Sequence, residues 1–260
     1  MVLRTEQLVE VLNHARAAFP TIRRITSYAR AKTVSRKSLD ELTALRAAGL
    51  NRLHIGMESG SDAVLSLVQK GVTQAEQIRA GQLVMAAGIE LSEYFMPGLG
   101  GRELSEEHVV ESATVLAAIN PTFIRIRSTV PVPGTPLYQR MIEGHWTPLT
   151  EEEKVREIQA CLERLDGVTS TVQSDHIMNL LEDVAGRLPE DRQTMLEPIE
   201  RFLNMAPSDR ECFIVGRRIG RYRCVADYVR LNEVEMLRGE LVKRFGSVEQ
   251  GIQAILVNFV

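Results

Sequence analysis

The chain has 260 residues, of which 44% are hydrophobic and 25% are charged, and its formal net charge is −3. This composition predicts a globular protein with one large core, and the charge argues against a general nucleic-acid binder without excluding a local nucleic-acid contact. No segment is apolar for long enough to cross a membrane, and the amphipathic start does not read as a signal peptide. We therefore expect a cytoplasmic protein without a membrane partner.

The first part of the chain, residues 1–140, alternates helical and strand-like patterns. Gly49 and Gly88 are typical of helix ends, while Ser105 followed by Glu107 is typical of a helix start. Hydrophobic periodicity predicts helices near 5–18, 36–48, 74–87 and 105–118, and strands near 22–29, 51–57, 89–96 and 122–130. This order predicts an α/β fold of parallel strands joined by helical crossovers.

Each predicted strand alternates apolar and polar side chains. A doubly wound sheet is covered on both faces and has continuous apolar strands, so the alternation favours a barrel or open barrel with a wet, charged lumen. Charged side chains on such a face need partners or a ligand. The predicted lumen residues are Thr26, Tyr28, Arg30, His54, Glu58, Glu90, Ser92, Tyr94, Arg125, Arg127 and Thr129.

Glu58 is placed at the carboxyl end of its strand, on the predicted lumen face. In βα folds this edge of the sheet is where ligand sites are built. Two interpretations stay open: Glu58 binds a ligand, or it pairs with a lumen arginine while Ser59 and Ser61 cap the next turn.

Three motifs follow one another in residues 49–101: a Gly-x-Glu-Ser-Gly-Ser turn from Gly56 to Ser61, the pair Lys70–Gly71, and the loop "FMPGLGG". With "STVPVPGTPLY" (128–138), they resemble the radical S-adenosylmethionine (radical SAM) enzymes. Within these enzymes, they resemble most the branch related to anaerobic coproporphyrinogen oxidase, the methylthiotransferases and the cobalamin-associated members. The resemblance covers about residues 20–140 and implies a partial barrel of six βα units, about four of them in this chain.

The resemblance also implies a binding site for SAM at the carboxyl ends of the strands. Glu58 and Ser59 would hydrogen-bond the ribose hydroxyls. An arginine would hold the methionine carboxylate, and the backbone of the "FMPGLGG" loop would meet the adenine. The further candidates for this site are Tyr28, Arg30, Arg125, Arg127, Met96, Pro97 and Gly98.

Iron–sulfur ligation is where the chain departs from that family. Radical SAM enzymes hold a [4Fe–4S] cluster with a CxxxCxxC motif, take an electron from a donor such as flavodoxin or ferredoxin, and cleave SAM to a 5′-deoxyadenosyl radical that attacks the substrate. Cys161, Cys212 and Cys224 are spaced for neither a disulfide framework nor a metal site, and we interpret each as a buried or idle thiol. We therefore expect no metal ligand here, and an inactive isolated chain.

The resemblance places this chain in the carboxyl-terminal two thirds of such an enzyme. Three accounts stay open: a start placed too far downstream, a fragment, or a remnant that has lost the chemistry. In each case the strand near 22–29 would have an unpaired edge, which predicts low stability, aggregation or pairing with a partner.

The second half, residues 141–260, is predicted to be mainly helical, with a capping box at Thr150 and Glu153. Asp175, His176 and Asn179 allow two interpretations. Ser174 or Asp175 caps a helix that carries His176 on its first turn, or the loop folds over the barrel mouth and His176 transfers a proton.

An arginine-rich run occupies residues 208–230, and it is interpreted as a solvated or interdomain face, with a phosphate or RNA contact as the alternative. Two short helices around Gly246 complete the prediction. The leading function is part of a radical SAM enzyme with an unknown substrate. The alternatives are a non-catalytic partial barrel that binds a nucleotide-like ligand or a protein partner, and a cofactor-free βα lyase or hydrolase.

Overall fold

A computed structural model describes residues 3–256, which form one six-stranded sheet flanked by helices. The strands follow one another in chain order across the sheet; the first five are parallel and the last is antiparallel. They are β1 (Ile25–Ala29), β2 (Leu50–Glu58), β3 (Glu90–Phe95), β4 (Phe123–Ile126), β5 (Thr171–Gln173) and β6 (Gly186–Arg187). The predicted α/β class and all four predicted strands are confirmed.

Helices connect the strands and form most of the second half of the chain. They are α1 (Thr5–Ala18), α2 (Ala31–Val34), α3 (Leu39–Ala47), α4 (Asp62–Leu67), α5 (Gln74–Ala86), α6 (Ser105–Ile119), α7 (Pro136–Ile142), α8 (Glu151–Arg164), α9 (Arg192–Leu203), α10 (Pro207–Arg218), α11 (Asn232–Phe245) and α12 (Val248–Leu256). Several of their ends match the sequence signals. The capping box of Thr150 and Glu153 is present, and Gly49 and Gly88 have φ angles of +113° and +70° after helix ends.

The sheet has one apolar and one polar face. Leu53, Ile55 and Leu91 are fully buried on the apolar face, and each contributes about 1.5–3 kcal/mol of stability by leaving water. Glu93 shares this apolar side and is 2% exposed, which the alternation did not predict.

Strand β1 forms one end of the sheet, and among residues 3–256 it pairs with β2 alone. Its residues alternate between half-buried and exposed, and Tyr28 is 71% exposed. The expected open edge at this strand is therefore present.

The helix predicted after Ser174 is wrong. Residues 174–185 form an irregular loop, and β5 and β6 on either side of it extend the sheet. Asn179 explains the loop, because its side chain accepts a hydrogen bond from the Ser128 amide (2.9 Å) and donates one to the Ile126 carbonyl (2.9 Å). The loop thereby crosses the end of β4, as the second interpretation of this segment expected.

The predicted boundary at residue 140 stays a prediction, and the outermost residues of the two predicted domains, 1–2 and 257–260, lie outside the described part. Gly246 separates α11 from α12 as expected, with φ +86°. Among residues 3–256, no helix combines the length and the apolar character that a membrane crossing requires.

Candidate functional site

Glu58 is the last residue of β2 and lies at a β-bulge. Ile55 is paired with Glu93 and Glu58 with Phe95, so β2 has one residue more than β3 over this interval. Glu58 has φ +65°, a left-handed conformation that costs a residue other than glycine on the order of 1–3 kcal/mol. A Cβ atom on Gly56 would lie 2.7 Å from Glu58 Oε1, so the glycine leaves room for this carboxylate.

The partner of Glu58 is Lys70, and the predicted pairing with a lumen arginine is wrong. Lys70 Nζ lies 2.5 Å from Glu58 Oε1, and the two side chains are 22% and 28% exposed. Arg30 reaches the same region through a weak hydrogen bond from Nη2 to the Lys70 carbonyl (3.4 Å). Glu58 is therefore a half-buried member of an ion pair at the carboxyl edge of the sheet.

Two of the candidate arginines share one carboxylate. Asp175 lies 3.5 Å from Arg125 and 3.1 Å from Arg127. Partial burial alone would raise the pKa of Asp175, but the hydrogen bond from Arg127 and the charges of both arginines bring it below its ordinary value. Two cations facing one anion leave positive charge at the end of β4.

Aromatic rings stack on the polar face between these charged groups. The ring centroid of His54 lies 5.0 Å from that of Tyr28 and 5.9 Å from that of Tyr94, and the guanidinium of Arg127 lies 5.2 Å from the Tyr94 ring. Burial lowers the pKa of His54, and the nearby arginines lower it further, so His54 is neutral at pH 7. The exposed ring of Tyr28 lies at one end of the stack, and Arg127 lies beside Tyr94 at the other end.

His176 follows Asp175 in the loop over the end of β4. Burial lowers its pKa and the charge of Arg127 lowers it further, while Asp175 acts in the opposite direction. Its Nδ1 faces the Met178 amide at 3.4 Å. The structure thus places His176 beside the arginine cluster, and its catalytic role stays a prediction.

The turn after Glu58 is held from outside the sheet by helix α6. Ser59 is fully buried, and its hydroxyl lies 2.8 Å from His108 Nδ1. The Gly60 amide donates to the Ser112 hydroxyl (2.9 Å), and the Ser61 hydroxyl donates to a carboxylate of α6, that of Glu107 (2.6 Å). Ser61 also caps α4, as predicted. These contacts give Ser59 a structural role.

The loop after β3 is held by the same helix and by α8. His108 Nε2 lies 3.0 Å from the Met96 carbonyl, the Thr129 amide donates to the Pro97 carbonyl (2.9 Å), and the Gly98 amide donates to Glu157 (2.6 Å). Burial lowers the pKa of His108 to about 4, although the bond to Met96 opposes this. A neutral His108 donates from Nε2 and accepts from Ser59 at Nδ1, so it joins the two candidate SAM-binding segments.

Beside this loop lies a mostly apolar pocket of about 260 Å³. Met96 and Leu99 form one wall and Thr129 and Pro131 another, with Leu67 from α4. It lies at the carboxyl end of β3 and β4, where βα folds place their ligands.

Glu157 makes the stability of the Gly98 loop depend on pH. Burial raises its pKa to about 7, while hydrogen bonds from Ser105 and the Gly98 amide oppose the shift. The unfolded chain releases this proton near the ordinary value of 4.5, so the folded state binds more protons between pH 4.5 and 7. The stability from this group is therefore present at low pH and is lost as the pH rises towards 7.

We expect Glu157→Gln to remove this dependence. The free energy of unfolding of the wild type minus that of the variant should fall by about 3 kcal/mol between pH 4.5 and 7, measured by denaturant unfolding at a series of pH values. Glu163→Gln, an exposed change on the same helix, is the control and should show no such slope. If the free energy of unfolding changed with pH in the same way for the wild type and Glu157→Gln, the raised pKa of Glu157 would be wrong.

The sequence interpretation missed Lys70 as a partner, and it missed His108, Glu93 and Glu157 altogether. Burial raises the pKa of Glu93 well above its usual range, although the charge of Lys70 opposes this. Helix α6 begins at Ser105 as predicted, with Leu104 at the N-cap position, and the Ser105 hydroxyl donates to Glu157. These contacts join residues far apart in the chain, and no local pattern marks them.

The described residues do not fit an iron–sulfur cluster. Cys161 and Cys212 are buried, Cys224 is half-buried, and burial raises the pKa of the Cys161 thiol to about 12. Cluster ligands are thiolates, which these environments disfavour. Within residues 3–256, no three His, Cys, Asp or Glu side chains are grouped to hold a metal ion.

Comparisons with known proteins show similarity over part of the chain. No protein-family model matches. The chain is 26% identical over 119 residues to the tRNA uridine(34) acetyltransferase of Methanocaldococcus infernus, and 24% identical over 116 residues to that of Methanocaldococcus jannaschii. These matches cover 45% and 44% of this chain, and the chain spans only 22% and 21% of the two relatives.

Solved structures show a similar arrangement. The Methanocaldococcus infernus Elp3 protein with an N-terminal deletion superposes with a TM-score of 0.48 and 23% identity, over 59% of this chain and 36% of that one. The radical S-adenosylmethionine methyltransferase TsrM from Kitasatospora setae, solved with cobalamin and a [4Fe–4S] cluster, gives a TM-score of 0.42 and 20% identity over 53% and 25%. The chain is thus similar, over part of its length, to a segment of tRNA uridine(34) acetyltransferases and to radical SAM enzymes, as its motifs predict.

Proposed function

We propose that this chain contributes part of the SAM-binding pocket of a radical SAM-type protein, with Glu58 as the acceptor for the ribose hydroxyls. The observation that carries the proposal is the position of Glu58, which ends β2 at a bulge with its carboxylate half-exposed at the carboxyl edge of the sheet. A carboxylate accepts from two hydroxyl donors at once, as the ribose diol requires.

The other groups at this edge suit the rest of the same ligand. Arg127, with Arg125 beside it, is the best-placed cation for the methionine carboxylate, because both lie on the sheet face while Arg30 is an exposed cap of α2. The pocket beside Met96 suits the adenine. SAM would supply the radical in such a protein, and the described residues include no group of side chains that could hold the cluster.

Binding of SAM to wild type and Glu58→Gln by calorimetry tests the proposal. Loss of a charged acceptor is worth about 1.5–3 kcal/mol, so we expect the Kd to rise roughly 10- to 100-fold. Glu90→Gln is the matched control. Glu90 lies on the same face of the sheet as Glu58 but at the amino-terminal end of β3, where it pairs with Arg52. Equal affinities of the wild type and Glu58→Gln would show that Glu58 does not contact the ribose.

The aromatic stack favours a second candidate function, the binding of a nucleotide-like ligand without radical chemistry. Tyr28, the exposed end ring of this stack, offers a stacking surface that does not depend on a sulfonium or a methionine group. Adenosine distinguishes the two functions in the same calorimeter. Adenosine binding as tightly as SAM would favour this second function, whereas a clear preference for SAM supports the first.

A further inference from the structure

Lys70 lies in a loop whose path is set by the end of helix α4. The Gln69 amide donates to the Ser66 carbonyl (3.0 Å). The Lys70 amide donates to the Leu65 carbonyl (2.9 Å), and together these two hydrogen bonds form a Schellman motif. Gln69 has φ +52°, the left-handed conformation that this motif requires, and Gly71 has φ +70°. The backbone at Lys70 is therefore held by hydrogen bonds that do not involve its side chain.

The ammonium group of Lys70 is directed at one oxygen of Glu58. Nζ lies 2.5 Å from Glu58 Oε1, and among residues 3–256 this is the one ion pair that either side chain forms. A Cβ atom on Gly56 would lie 3.2 Å from Nζ and 2.7 Å from Oε1, so the glycine leaves room for both partners. The ion pair thus holds Oε1, while the second carboxylate oxygen, Oε2, is not part of it.

A second carboxyl group, that of Glu93, also interacts with the charge of Lys70. Glu93 is paired with Ile55 across the strands and is 2% exposed, and its Oε2 has no hydrogen-bond partner among the described residues. Burial raises the pKa of Glu93 well above its usual range, while the charge of Lys70 and a hydrogen bond from the Met57 backbone oppose this. Burial therefore favours the uncharged form of Glu93, which competes little with Glu58 for Lys70.

We propose that Lys70 is a positioning residue that makes the site selective for a ligand with free ribose hydroxyls. With Oε1 held by the ammonium group, the Glu58 carboxylate keeps one orientation, and its remaining lone pairs accept from the ribose. A carboxylate without this partner would have to lose rotational freedom when the ribose binds, which weakens the hydroxyl contact. The inference rests on the proposed function, because Lys70 acts only through the contact assigned to Glu58.

Calorimetry with SAM and with its 2′,3′-dideoxy analogue tests this role. The two ligands have the same charge, so the ratio of their affinities separates the hydroxyl contact from the general electrostatic effect of removing a lysine. We expect the wild type to bind SAM about 10- to 100-fold more tightly than the analogue. Lys70→Met should reduce this preference about three- to tenfold, because the ligand must then order the carboxylate.

Further variants show whether the effect is specific to this ion pair. Lys37→Met is the matched control, because Lys37 forms an ion pair with Glu41 of helix α3 (3.2 Å), and it should leave the preference unchanged. The double variant Glu58→Gln with Lys70→Met should show the preference of Glu58→Gln alone, since Lys70 acts through Glu58. Circular dichroism checks folding, and Lys70→Gln takes the place of Lys70→Met if that variant does not fold.

The outcomes distinguish the role of Lys70 from the proposed function. If Glu58→Gln abolishes the preference for SAM and Lys70→Met leaves it unchanged, the role of Lys70 alone is overturned. The same holds if Lys37→Met lowers the preference as much as Lys70→Met. If the wild type has no preference, or if Glu58→Gln retains it, the ribose contact of Glu58 is overturned and the role of Lys70 with it.

Discussion

Replacement of Gly60 by alanine is expected to destabilise the protein by about 3 kcal/mol or more. The turn that carries Glu58 and Ser59 packs directly on the backbone of α6. A Cβ atom on Gly60 would lie 2.7 Å from the Cα of Ser112 and would overlap the Glu111 carbonyl. Backbone atoms cannot move aside as a flexible side chain can, so the turn and helix would have to separate.

Gly239→Ala provides the matched control for this substitution. Gly239 lies inside α11, and an added Cβ there meets no atom within 4 Å. Alanine at such a helix position is expected to stabilise by about 0.5–1 kcal/mol. Denaturant unfolding of both variants therefore gives opposite signs. A loss of less than about 1 kcal/mol for Gly60→Ala would show that the turn tolerates a side chain at this position.

Replacement of Arg218 by methionine is expected to cost about 3–5 kcal/mol, because it leaves a buried carboxylate without its main partner. Glu151 is 2% exposed and pairs with Arg218 and, at 3.0 Å, with Lys154. Although burial opposes it, the charges of Arg218 and Lys154 lower the pKa of Glu151 to about 2. The contribution of this carboxylate to stability is therefore complete above pH 4.5, the ordinary value of the unfolded chain, and is lost progressively as the pH falls from there towards 2.

Two further variants separate the ion pair from general damage. Arg221→Met removes an exposed arginine paired with Glu233, both about half exposed, and should change stability by less than about 0.5 kcal/mol. Glu151→Gln in the Arg218→Met background should recover part of the loss, because no buried charge is then left unpaired. The deficit of Arg218→Met should also shrink at pH 4, where the isolated carboxyl takes up a proton. Equal losses for Arg218→Met and Arg221→Met would contradict the account.

The arginine-rich run shows what a sequence can and cannot reveal about charge. Its six arginines suggested either a solvated face or a phosphate contact, and each of them forms an ion pair with an acidic side chain. These partners are Glu152 for Arg210, Glu182 for Arg217 and Arg223, Glu151 for Arg218, Glu233 for Arg221 and Asp209 for Arg230. Three of the partners lie about 30–70 residues away, so local composition does not identify them.

The fold near β1–β4 could be predicted because its signals are local. Helix periodicity, the cap at Thr150 and glycines after helix ends act within a few residues. The segment after Ser174 has an equally good local cap signal, yet Asn179 satisfies the last backbone groups of β4 and prevents a helix. Tertiary hydrogen bonds outweighed local propensity there.

In the candidate site, too, the features with local signals could be predicted and those that depend on tertiary contacts could not. The position of Glu58 follows from strand alternation and from where βα folds place their ligands. Its pairing with Lys70 depends on the bulge at the end of β2, which adds one residue to the strand and redirects the side chain. His108 is an ordinary helix residue in the sequence, and only the packing of α6 against the turn reveals its two contacts.

Helix α6 never faces the polar side of the sheet, yet its side chains fix the shape of the turn after Glu58 and, through His108, of the loop at Met96. The residues that hold the site are therefore different from those that face a ligand. Under the proposed function, substitutions among Tyr28, Tyr94, Arg125 and Arg127 would change ligand binding and leave the contacts of α6 in place. A change in α6 would instead shift both segments together, whatever molecule they hold.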